Sequence, residues 1–322
     1  MKKLWIILLL SVLLLFFIPL LLAKESDVIK VIGPMTEKKK VVELCEVEIT
    51  VVGMDKPLKL EDYVKGVVAG EMPATFHVEA LKAQAIAART YALRLTENGK
   101  NPIAADVSAQ VFVNEDQRKK RWGKSFKQNE KKVSKAVDAT AGDIVLYDDE
   151  LISAMFFSTS NGKTETAQNY GGNDIPYLQS VESPGEAGVA PSYEESVEIT
   201  LDKWNSILGV DWDATMFESL KLFRNPTGRV QKIATTGFEL EGRKVRELFG
   251  LRSTDFDISF DVTNKIVHVK TLGNGHGVGM SQYGAEVLAQ DGETAEKIIQ
   301  HYYSETKIKK LTIDEPKCLK SP

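Results

Sequence analysis

The sequence predicts an α+β fold, with mixed helices and antiparallel-type sheets behind an N-terminal transmembrane helix. Three observations predict it. Strand-like alternation and helical periodicity are interleaved irregularly, without the steady strand–helix rhythm of a doubly wound sheet. The chain contains no internal repeat. Finally, residues 4–23 form one apolar run between Met1-Lys2-Lys3 and Lys24-Glu25.

That run comes first. Twenty residues at about 1.5 Å each reach roughly 30 Å, enough to cross the hydrocarbon core of a bilayer. A cleaved secretory signal is the alternative, but its apolar centre is shorter and it ends in a small-residue site, whereas Leu21 here is large. An uncleaved anchor is therefore expected, with residues 1–3 as a cytoplasmic tip. Lys2 and Lys3 stay inside by the positive-inside rule, which places everything after residue 24 outside. Residues 24–45 read as a charged stalk containing Gly33-Pro34, 46–313 as the extracytoplasmic domain and 314–322 as a tail.

Within the domain, Val47, Ile49 and Val51 alternate with polar residues and mark a strand over 46–52. Leu60, Tyr63, Val64, Val67 and Val68 recur at helical spacing, and Gly70 reads as the stop of that helix. An alanine-rich helix follows over 78–95. Residues 98–114 read as loop and strand, and the basic region 118–140 as helical in its second half. Strand-like stretches over 144–147 and 151–157 are separated by a hairpin-like turn at Asp148-Asp149-Glu150. Residues 158–172 form a polar loop. The texture changes over about 184–241, which reads as a sub-domain or insertion: a strand over 193–200, a helix over 201–208 and a strand over 230–236. Alternation returns over 253–271, and a helix over 285–303 closes the domain.

The candidate chemistry begins with Glu71. At a helix C-terminus the dipole disfavours negative charge, and Val68, Met72 and Phe76 supply an apolar setting. Both effects raise a glutamate pKa toward the range useful to a general acid. Local pattern alone favours the plainer reading, a surface glutamate in a helix–helix turn. Lys82 and Arg89, seven residues apart, share one helical face, either as binders of polar substrate groups or as two solvated charges. Residues 273–284 carry five glycines around His276, Ser281, Gln282 and Tyr283. The segment lacks the Gly-Lys-Ser/Thr ending of a phosphate loop and the acidic partner of a dinucleotide site. His276 and Gln282 read as positioning a polar substrate or bracing a site; a Ser281–His276 nucleophile pair is the weaker alternative.

The four histidines have no metal-ligand spacing, and no cofactor is expected. Cys45 and Cys318 are either a disulfide pair or two unrelated thiols. The formal net charge of −4 gives no global cationic field, so nucleic acid is not an expected partner. The basic clusters at Lys38-Lys39-Lys40 and from Arg118 to Lys132 read as solvated faces, the second alternatively as a surface for an anionic wall polymer.

Several separated motifs occur together: Val-Val-Ala-Gly-Glu71-Met-Pro, Glu79-Ala-Leu-Lys-Ala-Gln-Ala-Ile-Ala-Ala-Arg-Thr-Tyr91 and Phe157-Ser-Thr-Ser-Asn-Gly-Lys-Thr-Glu165. Downstream follow Pro176-Tyr-Leu, Gly-His276-Gly-Val-Gly-Met-Ser-Gln-Tyr-Gly-Ala285 and His301-Tyr-Tyr303. In this order they resemble the stage II sporulation protein D family over about residues 45–312. The resemblance implies a membrane-anchored peptidoglycan lytic transglycosylase of forespore engulfment, in the mother-cell membrane facing the intermembrane space. Its substrate would be glycan strands stripped of stem peptides, cut between N-acetylmuramic acid and N-acetylglucosamine to leave 1,6-anhydro ends. Its partners would be a sporulation amidase and a multi-spanning membrane scaffold.

Under the resemblance, Glu71 matches the catalytic acid, Lys82 and Arg89 match basic positions of the same motif, and Tyr303 matches a tyrosine near the domain end. Some relatives hold zinc with a histidine and cysteines around the Ser-Thr loop. Here that loop reads Phe157, Ser158, Thr159, Ser160, so no zinc is expected and the hydroxyls of 158–160 are expected to line the groove. A non-catalytic wall-binding enhancer of a separate amidase is the alternative function.

Overall fold

The computed structural model describes residues 44–191 and 193–312. The expected anchor over 4–23, nearly all of the stalk, Cys318 and the tail over 314–322 lie outside the described residues. Among the described residues no helix is long and apolar enough to cross a membrane. Cys45 is buried and is not a free thiol.

The chain is a mixed α+β fold whose sheets are mostly antiparallel. Two short strands, β1 (Glu48–Ile49) and β2 (Leu58–Lys59), pair antiparallel and lead straight into helix α1 (Leu60–Glu71). Pro73, rather than Gly70, ends this helix. A residue before proline is pushed out of the helical region, and Met72 is extended at φ −119 and ψ 147. Helix α2 (Val78–Leu95) begins with the His77 ring accepting from the Glu79 N–H. It is the hub of the molecule, packed against α1 and against elements from both later parts of the chain. Its run of alanines lets those neighbours approach on several sides, while buried Leu81, Ile86 and Leu93 contribute about 2 kcal/mol each.

Helices α3 (Glu115–Trp122) and α4 (Phe126–Ala139) cover nearly the whole basic region, more than its expected second half. An Asn114/Gln117 capping box starts α3 earlier than the second half of the basic region. Strand β3 (Asp143–Tyr147) turns at Asp148 and Asp149, both at positive φ, into β4 (Glu150–Leu151), which is the expected hairpin. The stretch 151–157 is not one strand. Ile152 and Ala154 sink into the core, and only β5 (Phe156–Phe157) re-forms a ladder, in a different sheet. Helix α5 (Ala167–Gly171) is a single short turn capped by Thr166.

A second hydrophobic core lies within the next stretch of chain. Strand β6 (Glu194–Thr200) is followed by α6 (Leu201–Leu208), α7 (Ala214–Glu218), β7 (Lys221–Arg224), β8 (Val230–Thr235), β9 (Phe238–Glu241), α8 (Gly242–Phe249), β10 (Phe256–Asp261) and β11 (Ile266–Leu272). Two antiparallel three-stranded sheets, β7-β8-β9 and β10-β11-β6, close around Trp204 and Trp212. Trp204 stacks on Phe249 at 4.4 Å between ring centres. This core extends past the 184–241 texture change because β11 is the central strand joining β6 to β10.

The chain then returns to the first core. Strand β12 (Met280–Ser281) pairs in parallel with β5, and α9 (Gln282–Gln290) starts directly after it. The single helix expected over 285–303 is broken at Gly292, whose φ of 97° terminates α9; Thr294 then caps α10 (Ala295–Tyr302). Strand β13 (Lys307–Lys310) completes the sheet β13-β3-β4.

Candidate active site

Glu71 is the last residue of α1, and two glycines explain its surroundings. A Cβ on Gly66 would sit 2.2 Å from the Phe112 ring, and one on Gly70 would sit 2.2 Å from the Val111 carbonyl oxygen. Both glycines therefore exist to let the segment around residues 111–113 cross the helix closely. That crossing delivers the Val111 N–H to Glu71 Oε1 at 2.7 Å. On the other side, Gln282 Nε2 at the start of α9 donates to Glu71 Oε2 at 3.3 Å and to Gln84 Oε1 at 3.4 Å.

Burial drives the Glu71 pKa above the ordinary carboxylate value, against the two hydrogen bonds and the nearby Arg121 cation. Among the described residues, no carboxylate contributes to this balance. The unfavourable helix end is partly offset, since Arg121 Nη1 donates to the carbonyls of Ala69 and Gly70 at 3.1 and 3.2 Å. The result is a half-buried carboxyl at the edge of the first core, held at both oxygens but not saturated.

The other sequence candidates divide into two groups. Tyr283 and Ser158 are half-buried and adjoin the Glu71 turn: the Tyr283 ring meets Phe76 edge-on at 5.0 Å, and its N–H donates to the Ser158 carbonyl. Lys82 is partly exposed and paired with Glu79 at 2.7 Å, whose other oxygen receives the Ala295 N–H.

The remaining candidates are frame residues. Arg89 is fully buried, in a two-point ion pair with Glu61 at 2.6 and 2.9 Å, and it also donates to the Asp143 carbonyl. Sharing a face with Lys82 does not place it in a groove, because the neighbours two turns along α2 bury it. Tyr303 is fully buried and donates its hydroxyl to the Met155 carbonyl at 2.8 Å. Thr159 and Ser160 are buried as well, so the expectation that hydroxyls 158–160 line a groove holds at most for Ser158. Thr159 pairs with the Asn274 backbone, and Ser160 is held by Glu186, a carboxylate only 1% exposed. It receives the N–H and hydroxyl of Ser160 at 2.8 and 2.6 Å, and the hydroxyls of Ser183 and Ser281 at 2.6 and 2.7 Å.

Ser281 is thereby committed. It donates to Glu186 and accepts from the Gly284 N–H as the N-cap of α9. His276 Nδ1 accepts from the Val278 N–H, and its ring lies between Phe157 and Tyr170. Burial first, with the Arg246, Arg229 and Arg243 cations, pushes the His276 pKa down to about 4. No Ser281–His276 pair forms, and the nucleophile alternative loses its geometry. His276 instead borders a separate cavity of about 410 Å³ against Tyr170 and Arg243. Among the described residues, no group of three or more His, Cys, Asp or Glu side chains could hold a metal ion.

The family model described as Stage II sporulation protein matches residues 50–147, which hold Glu71, α2 and the basic helices. Stage II sporulation protein D of Bacillus subtilis (strain 168) is 42% identical over 258 residues, covering 78% of this chain and 74% of its own. The chain belongs to the stage II sporulation protein D family. The protein of the same description from Bacillus amyloliquefaciens is 41% identical over 253 residues, 76% of this chain and 73% of its own. A more distant relative, the amidase enhancer of Bacillus subtilis (strain 168), is 26% identical over 296 residues, 76% of this chain and 40% of its own.

Sequence reasoning missed four groups in this family member: the Val111 N–H, Gln84, Arg121 and Glu186. Gly66 and Gly70, four apart inside a helix, were a readable sign that some backbone crosses there. Nothing in the sequence named residues 111–113 as that backbone. Arg121 lay inside a cluster read as a solvated face.

Proposed function

We propose that this chain is a membrane-anchored lytic transglycosylase acting on peptide-free peptidoglycan strands during engulfment in sporulation, with Glu71 as its acid and base. The observation that carries the reading is one carboxyl whose pKa burial raises and whose protonation no other carboxylate influences among the described residues. An ordinary glycosidase uses two carboxyl groups, one as acid and the other as base or nucleophile. In the proposed reaction Glu71 donates its proton to the glycosidic oxygen as that bond to C1 breaks. The C6 hydroxyl of the same N-acetylmuramic acid then bonds to C1, and its proton passes to the Glu71 carboxylate. The nucleophile belongs to the substrate, so attack is intramolecular and needs no positioned water.

In this reading Val111 and Gln282 orient the carboxyl, while Ser158, Tyr283 and Lys82 are the contacts offered to the strand. Thr159, Ser160, Ser281, Arg89 and Tyr303 keep the frame. The anchor over 4–23 tethers the domain on the outer face of the mother-cell membrane, beside an amidase that strips stem peptides and a multi-spanning scaffold. Peptide-free glycan incubated with the purified chain should yield fragments ending in 1,6-anhydromuramic acid by mass spectrometry. Ordinary reducing ends would instead require an attacking water and a second carboxyl group.

The likeness to the amidase enhancer supports a second reading, in which the domain binds wall and stimulates a separate amidase. Absence of any glycan cleavage, together with faster peptide release by an added amidase, would favour it.

A further inference from the structure

Helices α3 and α4 carry charge out of proportion to the rest of the chain. Between Gln117 and Val137 stand nine lysines and arginines and one acid, Glu130, in a chain of formal net charge −4. Some of these cations are spent on structure. Arg118 is buried in a two-point pair with Glu130, and Lys119 is paired with Glu115 and Asp116. Five are not: Lys120, Lys124, Lys127, Lys131 and Lys135 are exposed and make no ion pair among the described residues. Lys127, Lys131 and Lys135, four residues apart, share one side of α4, opposite buried Val133, Ala136 and Val137, and Lys120 and Lys124 precede them at the end of α3 and in the turn between the helices. From Lys127 to Lys135 the row runs about 12 Å at 1.5 Å per residue. Only Asp138 follows it as an exposed acid close in sequence.

The helices that carry this row also hold the Glu71 turn. Arg121 in α3 holds the last carbonyls of α1, and Lys132 in α4 donates to the Thr75 carbonyl at 2.9 Å. The two helices thus grip both sides of the turn that carries the candidate acid. A polymer engaged at Glu71 must leave the site over some neighbouring surface, and this one is cationic.

We infer that the lysine row of α3 and α4 is the docking track for the substrate strand, binding the lactyl carboxylates of its peptide-free muramic acid residues. The inference rests on the transglycosylase reading and adds a determinant of strand recognition outside the Glu71 site. Removing a stem peptide from muramic acid frees one carboxylate close to the sugar backbone at every second ring. A row of flexible, unpaired ammonium groups meets such a repeat without demanding a fixed register, and its attraction falls with salt.

The test compares peptide-free glycan strands with the same strands after chemical reduction of the lactyl carboxylates to alcohols. Binding is read on the full chain carrying Glu71→Gln, so that no strand is cut, with and without Lys124→Gln, Lys127→Gln, Lys131→Gln and Lys135→Gln together. We expect carboxylated strands to bind on the order of tenfold tighter than reduced ones at low salt, a preference that fades as salt is added. The four substitutions should abolish the preference and leave the melting temperature unchanged. Equal binding of both strands, or a preference that survives the substitutions, overturns the inference. So does lysine-dependent binding to phosphatidylglycerol vesicles with no strand preference, which would assign the row to a lipid surface. Cleavage by the chain with native Glu71 is scored separately. Carboxylate preference without cleavage sinks only the transglycosylase reading, and cleavage without the preference sinks only the docking track.

Discussion

Glu71 and Glu186 are both carboxylates withdrawn from water, yet the protein treats them in opposite ways. Glu186 is surrounded by three serine side chains and a backbone N–H, with Tyr302 behind Ser183, and it is almost completely covered. Glu71 has one backbone donor, one long amide contact and a half-open face. Four donors commit both oxygens of Glu186 to the frame, whereas two leave the Glu71 carboxyl with hydrogen-bonding capacity for a further partner. Burial alone therefore does not identify a catalytic acid. The donor count around it separates a bolt from a working group.

The largest expected effect tests the working half of that contrast. Glu71→Gln keeps the shape and one acceptor, enough for the Val111 N–H, gives up the weaker contact from the Gln282 amide and removes the transferable proton, so glycan cleavage should fall on the order of 10³-fold. Stability should not fall with it. A carboxyl whose folded pKa is raised favours folding below its ordinary value and loses that contribution as pH rises through the folded pKa. Above that window the native chain holds an ionised, poorly solvated group, and the glutamine variant does not. Urea unfolding at neutral pH should show the variant at least as stable as the native chain. An unaltered cleavage rate would remove Glu71 from the chemistry.

The second effect tests the bolt. Glu186→Ala strands three serine hydroxyls and the Ser160 N–H in the core, at a cost of about 2–4 kcal/mol. Loss of activity should follow loss of fold, seen as coincident transitions by circular dichroism and by cleavage. A well-folded Glu186→Ala protein without activity would break the comparison, because Glu186 would then have a chemical task.

How much of this was legible in sequence depends on the range of the forces involved. Helix α6 matched its expected span, and the β3–β4 hairpin formed where three acidic residues had marked a turn, because each is decided within a few neighbours. The setting of Glu71 was half legible. Its helix end and apolar neighbours are local, whereas Val111 and Gln282 arrive from 40 and 211 residues away. Arg89 was a candidate binder because it shares a helical face with Lys82, and Tyr303 because the family resemblance implied a tyrosine near the domain end. Their burial is set by Glu61 and by the Met155 carbonyl, partners that no spacing rule reaches. Gly70 looked like a helix stop for the same reason. Its missing Cβ makes room for Val111, and the stop is Pro73.

A smaller effect sharpens the account of why Glu71 is poised rather than simply buried. Arg121 is the one cation that lowers its pKa. Arg121→Gln removes that attraction, so the Glu71 pKa should rise further. The proposed reaction starts from protonated Glu71, so activity declines as pH climbs through this pKa. The declining limb of the pH–rate profile should therefore move to higher pH in the variant. A limb that stays in place would mean that another group titrates there. His276 is a poor alternative, because its pKa of about 4 keeps it neutral across that range.

The smallest effect returns to Ser281, the residue that sequence offered as a possible nucleophile. Its hydroxyl gives its proton to Glu186 at 2.7 Å and takes the Gly284 N–H as the cap of α9. Ser281→Ala removes one of the four donors of Glu186 and one helix cap, together about 1–2 kcal/mol. Because α9 begins with Gln282, fraying of the cap would loosen the amide that steadies Glu71, and cleavage should drop a few-fold rather than vanish. Ser281→Thr retains the hydroxyl and should recover part of the stability if the buried site admits the extra methyl. Complete loss of cleavage in a stably folded Ser281→Ala protein would instead make the serine hydroxyl a reacting group. That outcome would undo the division between the two carboxylates, since the bolt would then be holding the nucleophile.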